Sequence, residues 1–538
     1  MRPTFSGIEI GRTGLVVSQK GLDVTGHNIT NVDTAGYTRQ RIVQTSVEPY
    51  NAIRQFRPVD KGLVGQGTSV MVLDQIRSEF LDSQFRLNNS VLGYWNTRTQ
   101  GLTYMQTLFE STDGASLENS MGVTLQDSVS ELFSAFMTGE TEADSAEERL
   151  LIQQSAITLA TTFNLTYQRL QEQLANQDDA VGALVSDINT IAAGIRELNR
   201  SIYSYEILGE PALDLRDKRN VLLDELSSLV DIEYSGNATG ERFIVKVGGE
   251  ELVNHVTVTA LVAERTHPNV VPGEPDVYAV KWDTDGDGMG DMDLDVPDGE
   301  LKAHIDLRDG NTASNKGIAY YMEEINTFTR ALVQEINAQH RRGYTHPLNG
   351  GGASGAGGAF WGMYDEVSQT VVNIDEANPS ELGNVTAGNL RLSDDIANDI
   401  YMLAFSSLSI VTDESTYVPG TNTFAGNNEN MQAMYRLGDK NDITLGSTHI
   451  GTIPGYIAGV MLDFSVTLNH SAELADIHDV QTHDVDNLRL SISSVSLDDE
   501  MVNMIKYQHA YEGSSRIMTA MDEALDILIN KMGLVGRS

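Results

Sequence analysis

An apolar residue every seven positions marks both ends of this chain. Ile8, Leu15, Leu22 and Ile29 keep the spacing near the N-terminus, and Leu497, Met501, Met504, Tyr511, Met518 and Leu525 form a matching grid near the C-terminus. A helix with such a repeat carries one sticky seam and needs a helical partner to cover it. Each segment is short for a helix standing alone in water. The two ends are therefore expected to pair, with each other or with neighbouring copies. The residues between them become an insertion carried on a coiled-coil stem.

The middle of the chain changes character several times. Residues 5–27 read as an amphipathic helix, 28–37 as a turn rich in Asn, Asp, Thr and Gly, and 38–75 as extended, with alternating apolar positions. From about 76 to 232 the pattern is helical, and Leu184, Ile188, Ile191, Ile195, Leu198 and Ile202 share one face, as in the core of a bundle. Alternation over 233–305 predicts strands. Helix returns over 316–342, a Gly-rich connector follows at 349–359, and 360–455 reads as mixed and partly β. Helix resumes near 456 and runs to the end, with one break around 491–496. The expected fold is mainly α with inserted β-containing regions: paired terminal coiled-coil helices, a central long-helix bundle and outward β-leaning insertions. The expected bodies are a stem of 1–60 plus 495–538, a helical core of 61–232, 299–345 and 456–494, a β-leaning insertion of 233–298, and an outer insertion of 346–455.

Charge and composition narrow the chemistry. Acidic residues outnumber basic ones 76 to 36, a formal charge of -40, which argues against nucleic acid or an anionic membrane as partner. There is no cysteine, so disulfides and thiolate chemistry are excluded. The first residues lack the apolar core of a secretory signal, and no stretch approaches the ~18 apolar residues of a membrane span. Export, where it occurs, would use a route without a cleaved signal peptide.

Few residues suggest a reactive or ligand site. The run DTDGDGMGDMDLD (283–295) spaces Asp283, Asp285 and Asp287 at alternate positions before Gly288, with Asp291 at the ninth place. Hard oxygen ligands so spaced form the first half of a calcium loop. The twelfth place is Leu294, where a bidentate Glu is expected, although Asp293 and Asp295 flank it. Calcium is thus the one cofactor the sequence suggests, against the plainer reading of an acidic solvated loop. The eleven histidines form no metal pair at helical spacing, and no nucleophile elbow or phosphate loop is present. Catalytic residues are not expected. Arg39, Arg41, Arg54, Arg57 and Lys61 gather in an otherwise negative chain, as for a contact with acidic neighbouring copies.

Six segments carry a resemblance. NITNVDTAGYTR (28–39), with Asn28, Asn31, Thr34, Gly36 and Tyr37, resembles the N-terminal signature of the flagellar rod, hook and hook-associated proteins. GLVGQGTSVMVLDQIRSEFLDSQFR (62–86) and SVSLDDEMVNMIKYQHAYEGSSR (494–516) are similar to further family segments. ALDLRDKRNVLLDELSSLVDI (212–232), GELKAHIDLRD (299–309) and INAQHRRGY (336–344) resemble the helical middle of the hook–filament junction branch of that family. The resemblance implies a non-enzymatic structural protein on the extracellular flagellum, exported without a cleaved signal. It also implies self-association in a helical array, contact with the hook protein and with the second hook–filament junction protein, and an export chaperone holding the C-terminal helix. Another axial protein of hook or distal rod is the alternative in the same class. A calcium-dependent secreted adhesin is the alternative in another class, and it leaves the terminal heptads unexplained.

Overall fold

The protein is described by a computed structural model, covering residues 6–47, 65, 67–110, 124–141, 145–236, 242–347, 354–411, 418, 422–423, 426–441, 443–445 and 449–531. Its first helix, α1, spans Ser6–Thr30, and a two-stranded antiparallel ribbon follows, β1 (Gln40–Ser46) with β2 (Thr68–Gln75). The helical body comes next: α2 (Glu79–Glu110), α3 (Leu125–Thr141), α4 (Ala146–Glu206) and α5 (Leu213–Leu229). Strands β3 (Ile232–Gly236), β4 (Phe243–Val247), β5 (Glu250–Asn254) and β6 (Thr257–Val258) make one antiparallel sheet. A second contains β7 (Ala260–His267), β8 (Val277–Asp283) and β9 (Met292–Asp293). After α6 (Glu300–Asp309) and α7 (Ile318–His340), the described residues of 360–451 form short strands and helices. The chain closes with α8 (Ile453–Ser493) and α9 (Leu497–Asp526), divided at 494–496.

The 61-residue α4 is the axis of the body, about 90 Å long at 1.5 Å per residue. Its sequence explains the length. Ser145 caps the first turn by accepting from the Glu148 N–H at 3.3 Å, Glu147 and Glu148 favour its N-terminus, and no proline interrupts it before Pro211. Its apolar stripe serves two cores in succession. Ile152, Leu159, Phe163 and Leu170 pack with α3 and α7 in a core that α8 also joins. Val181, Val185, Ile188 and Ile195 pack with α5 and the strands of 232–282. Between them lies a buried polar belt. Asp178 accepts from Arg308 Nη1 at 2.7 Å and from the Tyr278 N–H at 2.8 Å, and Gln177 meets His304 Nδ1 at 2.6 Å.

The β-leaning stretch lies on the second half of α4. Asn189 fastens β7 to the helix, donating to the Leu261 carbonyl at 2.7 Å and accepting its N–H at 2.9 Å. Residues 360–443, assigned from sequence to an outer insertion, share the first core: Phe360, Trp361, Phe405 and Met431 are buried beside Phe136 and Phe328. Within the Gly-rich connector the described Gly357 lies against α7, where a Cβ would fall 2.1 Å from the His340 carbonyl oxygen. That glycine therefore serves close packing rather than slack.

Candidate assembly interface

The two ends of the chain pair with each other as an antiparallel stem. Position by position, a Cβ added at Gly7 would meet Met521, at Gly11 Met518, at Gly14 the Ser514 hydroxyl and at Gly21 the Tyr507 ring, all at 2.5–2.7 Å. The backbones of α1 and α9 therefore approach closely along a stripe of small residues, which Ser18 and Thr25, both buried, continue. Ile8, Leu15, Leu22 and Ile29 sit one residue beyond this stripe and are half-buried. On α9, Met504, Met518 and Leu525 are half-buried, whereas Leu497, Met501 and Tyr511 are exposed. Met501 lies four residues from Leu497 and off the seven-residue grid that Leu497, Met504, Tyr511, Met518 and Leu525 share. With Val502, Ile505 and Ile517 also exposed, α9 keeps a second apolar face that the described residues leave uncovered.

The stem meets the body at a polar joint built on the turn motif. The helix runs on through Asn28 to Thr30, three residues past its expected end at 27, because the Asn28 amide bonds outward. It accepts from the Gln40 N–H at 3.0 Å and the Tyr37 hydroxyl at 2.8 Å, and donates to the Gln40 carbonyl at 2.9 Å and to Glu500 Oε2 at 3.1 Å. Asn31 closes the helix end by donating to the His27 carbonyl at 2.9 Å and accepting from the Thr34 hydroxyl at 3.2 Å. Gly36 has a φ of 74°, which lets the chain turn back at no steric cost. Glu500 is the buried residue of α9. Its Oε1 accepts from Arg39 Nε at 2.8 Å and pairs with Nη2 at 2.7 Å.

Further contacts tie this joint to the helical body. Asp217 on α5 accepts from the Thr38 N–H at 3.0 Å and from Gln75 Nε2 at 2.9 Å, with Arg77 at 3.8 Å. Burial pushes its carboxyl up to about 6, against the pull of Thr38 and Arg77. Burial and the nearby carboxylates Asp214, Asp217 and Glu500 also raise the Tyr37 hydroxyl well above its ordinary value, so it stays a donor to Asn28. Asp224 gathers Arg86 of α2 at 2.7 Å and Arg489 of α8 at 2.6 Å. The basic cluster thus divides. Arg39 is bound within the chain, Arg41 pairs with Asp74 across the ribbon at 3.0 Å, and Arg54, Arg57 and Lys61 lie outside the described residues. His27 touches Asp214 at 3.3 Å and the Tyr37 ring edge-on.

The acidic loop lies far along the chain, between β8 and β9. Asp283, Asp285 and Asp287 bring carboxylate oxygens within 4.8 Å of one another. Backbone donors already occupy them: the Gly286 and Gly288 N–H groups bond Asp283, and the Met289 N–H bonds Asp287 at 2.8 Å. Asp291 instead accepts from the Thr284 N–H at 2.9 Å. The chemistry suits a hard cation, but the ninth-place carboxylate is turned to a threonine.

Sequence reasoning missed the facing stripe of α1, although Gly7, Gly14 and Gly21 repeat every seven residues. A search for apolar seams passes over glycine, whose part here is to admit a neighbour. It also missed Asp217 and Asp224, which are unremarkable among so many carboxylates until the fold gathers their partners.

Comparison with known proteins agrees with this architecture. The family described as "Flagellar hook-associated protein FlgK helical domain" matches residues 115–360, and "Flagellar basal body rod FlgEFG protein C-terminal" matches 488–531. Flagellar hook-associated protein 1 of Bacillus subtilis (strain 168) is 27% identical over 556 residues, covering 100% of both chains. That of Salmonella typhimurium is 23% identical over 580 residues, covering 96% of this chain and 98% of the relative. The solved flagellar hook junction protein FlgK from Burkholderia pseudomallei shares the fold, with a TM-score of 0.55 at 12% identity over 77% of this chain and 100% of that one. Along its full length the chain is similar to flagellar hook-associated protein 1, and over residues 115–360 and 488–531 to the helical-domain and rod C-terminal families of the flagellum.

Proposed function

We propose that this chain is a non-enzymatic junction subunit that joins the hook to the filament and is required for the filament to assemble. The observation that carries the reading is the antiparallel stem of α1 and α9, which leaves Leu497, Met501, Val502, Ile505 and Ile517 uncovered on α9. A large apolar face on a soluble protein marks an association site. A helical array of copies covers that face. In this reading the hook protein lies on one side of the array and the second junction protein on the other. Before assembly an export chaperone shields the C-terminal helix, and the subunit leaves through the flagellum's own export route. The family resemblance supports these partners, and the net charge of -40 speaks against nucleic acid or an anionic membrane. No helix among the described residues is long and apolar enough to cross a membrane. The reading needs neither a cofactor nor a catalytic residue.

Electron microscopy of cells lacking the protein tests the proposal. Intact hooks without filaments, with flagellin shed into the medium, are the expected result. Normal filaments on such cells would overturn it.

A further inference from the structure

We infer that neighbouring copies lock together through a knob and a pocket at the stem–body joint. This rests on the self-association proposed above and names the surface that carries it. The knob is the turn after α4. Ile207 is 65% exposed and Leu208 80%, with Tyr205 beside them at 50%. The turn is held rather than loose: the Leu208 N–H donates to the Tyr205 carbonyl at 3.1 Å, the Gly209 N–H to the Glu206 carbonyl at 2.9 Å, and Arg216 Nε to Glu206 at 2.7 Å. A rigid apolar projection loses little entropy on docking.

The pocket is a cavity of about 640 Å³ between the turn motif and the body, walled by Ala35, Tyr37, Leu198, Val221 and Leu222. A chain cannot fill its own pocket with its own knob. Leu198 on α4 and Ile207, the residue that caps it in helical conformation, are nine residues apart, which places them roughly half a turn around the axis and about 13 Å along it. A projection on one side and its receptacle on the other make a head-to-tail contact, and such contacts propagate as rings or open helical arrays. Charge singles out one pair. Asp214 and Asp217 also line the pocket, but Gln40 and His27 hold the first and Thr38 and Gln75 the second, whereas Lys218 there and Glu210 after the knob are exposed, and neither has an ion-pair partner among the described residues. Docking brings the two signs together and so fixes the register.

Cross-linking in assembled flagella tests this. The chain has no cysteine of its own, so Leu208→Cys and Ala35→Cys supply the only thiols. Hooks are isolated from cells carrying either variant or both, treated with a short bis-maleimide and blotted for the protein. A ladder beyond the dimer with both substitutions, and monomer alone with each single one, is the expected result. Protein present on hooks with no ladder would overturn the inference, as would dimers from Leu208→Cys alone, which require a symmetric contact. Absence of the wild-type protein from hooks would instead refute the junction role itself. If the paired cysteines keep the protein off hooks, charge reversal decides: Glu210→Lys and Lys218→Glu should each lose filaments and the double variant regain them. Equal loss in the double variant would overturn the inference.

Discussion

Replacing Glu500 should loosen the stem from the body without unfolding the body. Its side chain is 3% exposed and joins three segments: α9 itself, Asn28 at the end of α1, and Arg39 before β1. Glu500→Ala removes the oxygen on which Arg39 Nε and Nη2 converge and deletes one acceptor of the Asn28 amide. Breaking a buried pair by removing one partner costs about 3–5 kcal/mol. Arg39 is one-fifth exposed, so water recovers part of its solvation and the lower end, about 3 kcal/mol, applies. Glu500→Gln keeps one carbonyl acceptor, for Arg39 or for Asn28, and turns its NH2 toward the other donor, so it loses the charge and one hydrogen bond, at about 1–3 kcal/mol. The two cores do not include these residues, so the cost falls on local opening of the joint. Hydrogen exchange of the full chain reads it directly. Amides of α1 and the first turns of α9 should exchange about a hundredfold faster in Glu500→Ala, while those of α4 and α7 stay unchanged. Equal exchange in wild type and both variants would refute the reasoning, as would a greater effect from Gln than from Ala.

Other consequences are open to equally direct checks. Asp217 titrates at about 6 in the folded chain against about 4 unfolded, so its contribution is fully present below pH 4 and lost as pH rises through 6. The loss is about 3 kcal/mol, and Asp217→Asn should flatten the fall in denaturant midpoint between pH 4.5 and 7. His340 behaves in the opposite sense. Burial lowers it to about 4, with the ring bonded to the Gly358 carbonyl and the Ala404 N–H. Its stabilisation, about 3 kcal/mol, is present above pH 6.5 and lost as pH falls through 4, a slope that His340→Gln should remove. Gly21→Ala places a methyl against the Tyr507 ring and should destabilise the stem, whereas Gly26→Ala meets nothing within 4 Å and should gain about 1 kcal/mol of helix stability; parallel melts of α1 amides by exchange compare them. Millimolar calcium should leave thermal unfolding unmoved relative to chelator, because backbone donors already hold Asp283 and Asp287, and a rise of several degrees would assign the loop to the metal.

Much of the helical frame was legible because helices announce themselves through local periodicity. The stripe from Leu184 to Ile202 lies on α4, and the break between the last two helices falls within 491–496 because Ser494, Val495 and Ser496 interrupt the pattern. Residues 360–443 were less legible. Phe360, Trp361 and Phe405 join the first core through contacts with α3, α4 and α7, and no local pattern encodes a partner so distant in sequence. The stem was readable as a pairing of ends but not as a geometry. Hydrophobicity points to Ile8 and Leu15, whereas close approach runs through Gly7, Gly11 and Gly14. The joint was least readable of all, because Arg39 and Glu500 stand 461 positions apart and charged residues show no periodicity when they are gathered one from each element.

The unbroken α4 has a mechanical consequence. One hydrogen-bonded ladder connects the joint at its C-terminal end to the Trp361 and Phe405 core at the other, so the helix acts as a beam. A sideways push on the far end arrives at the joint as a bending moment instead of being absorbed in a hinge. Near mid-span the two apolar cores give way to Asp178, Arg308, Gln177 and His304. Close-packed methyl groups slide past one another at small cost, but charge-assisted hydrogen bonds hold their angles. The polar belt therefore braces the beam against shear at the point where packing alone would let its two halves slip.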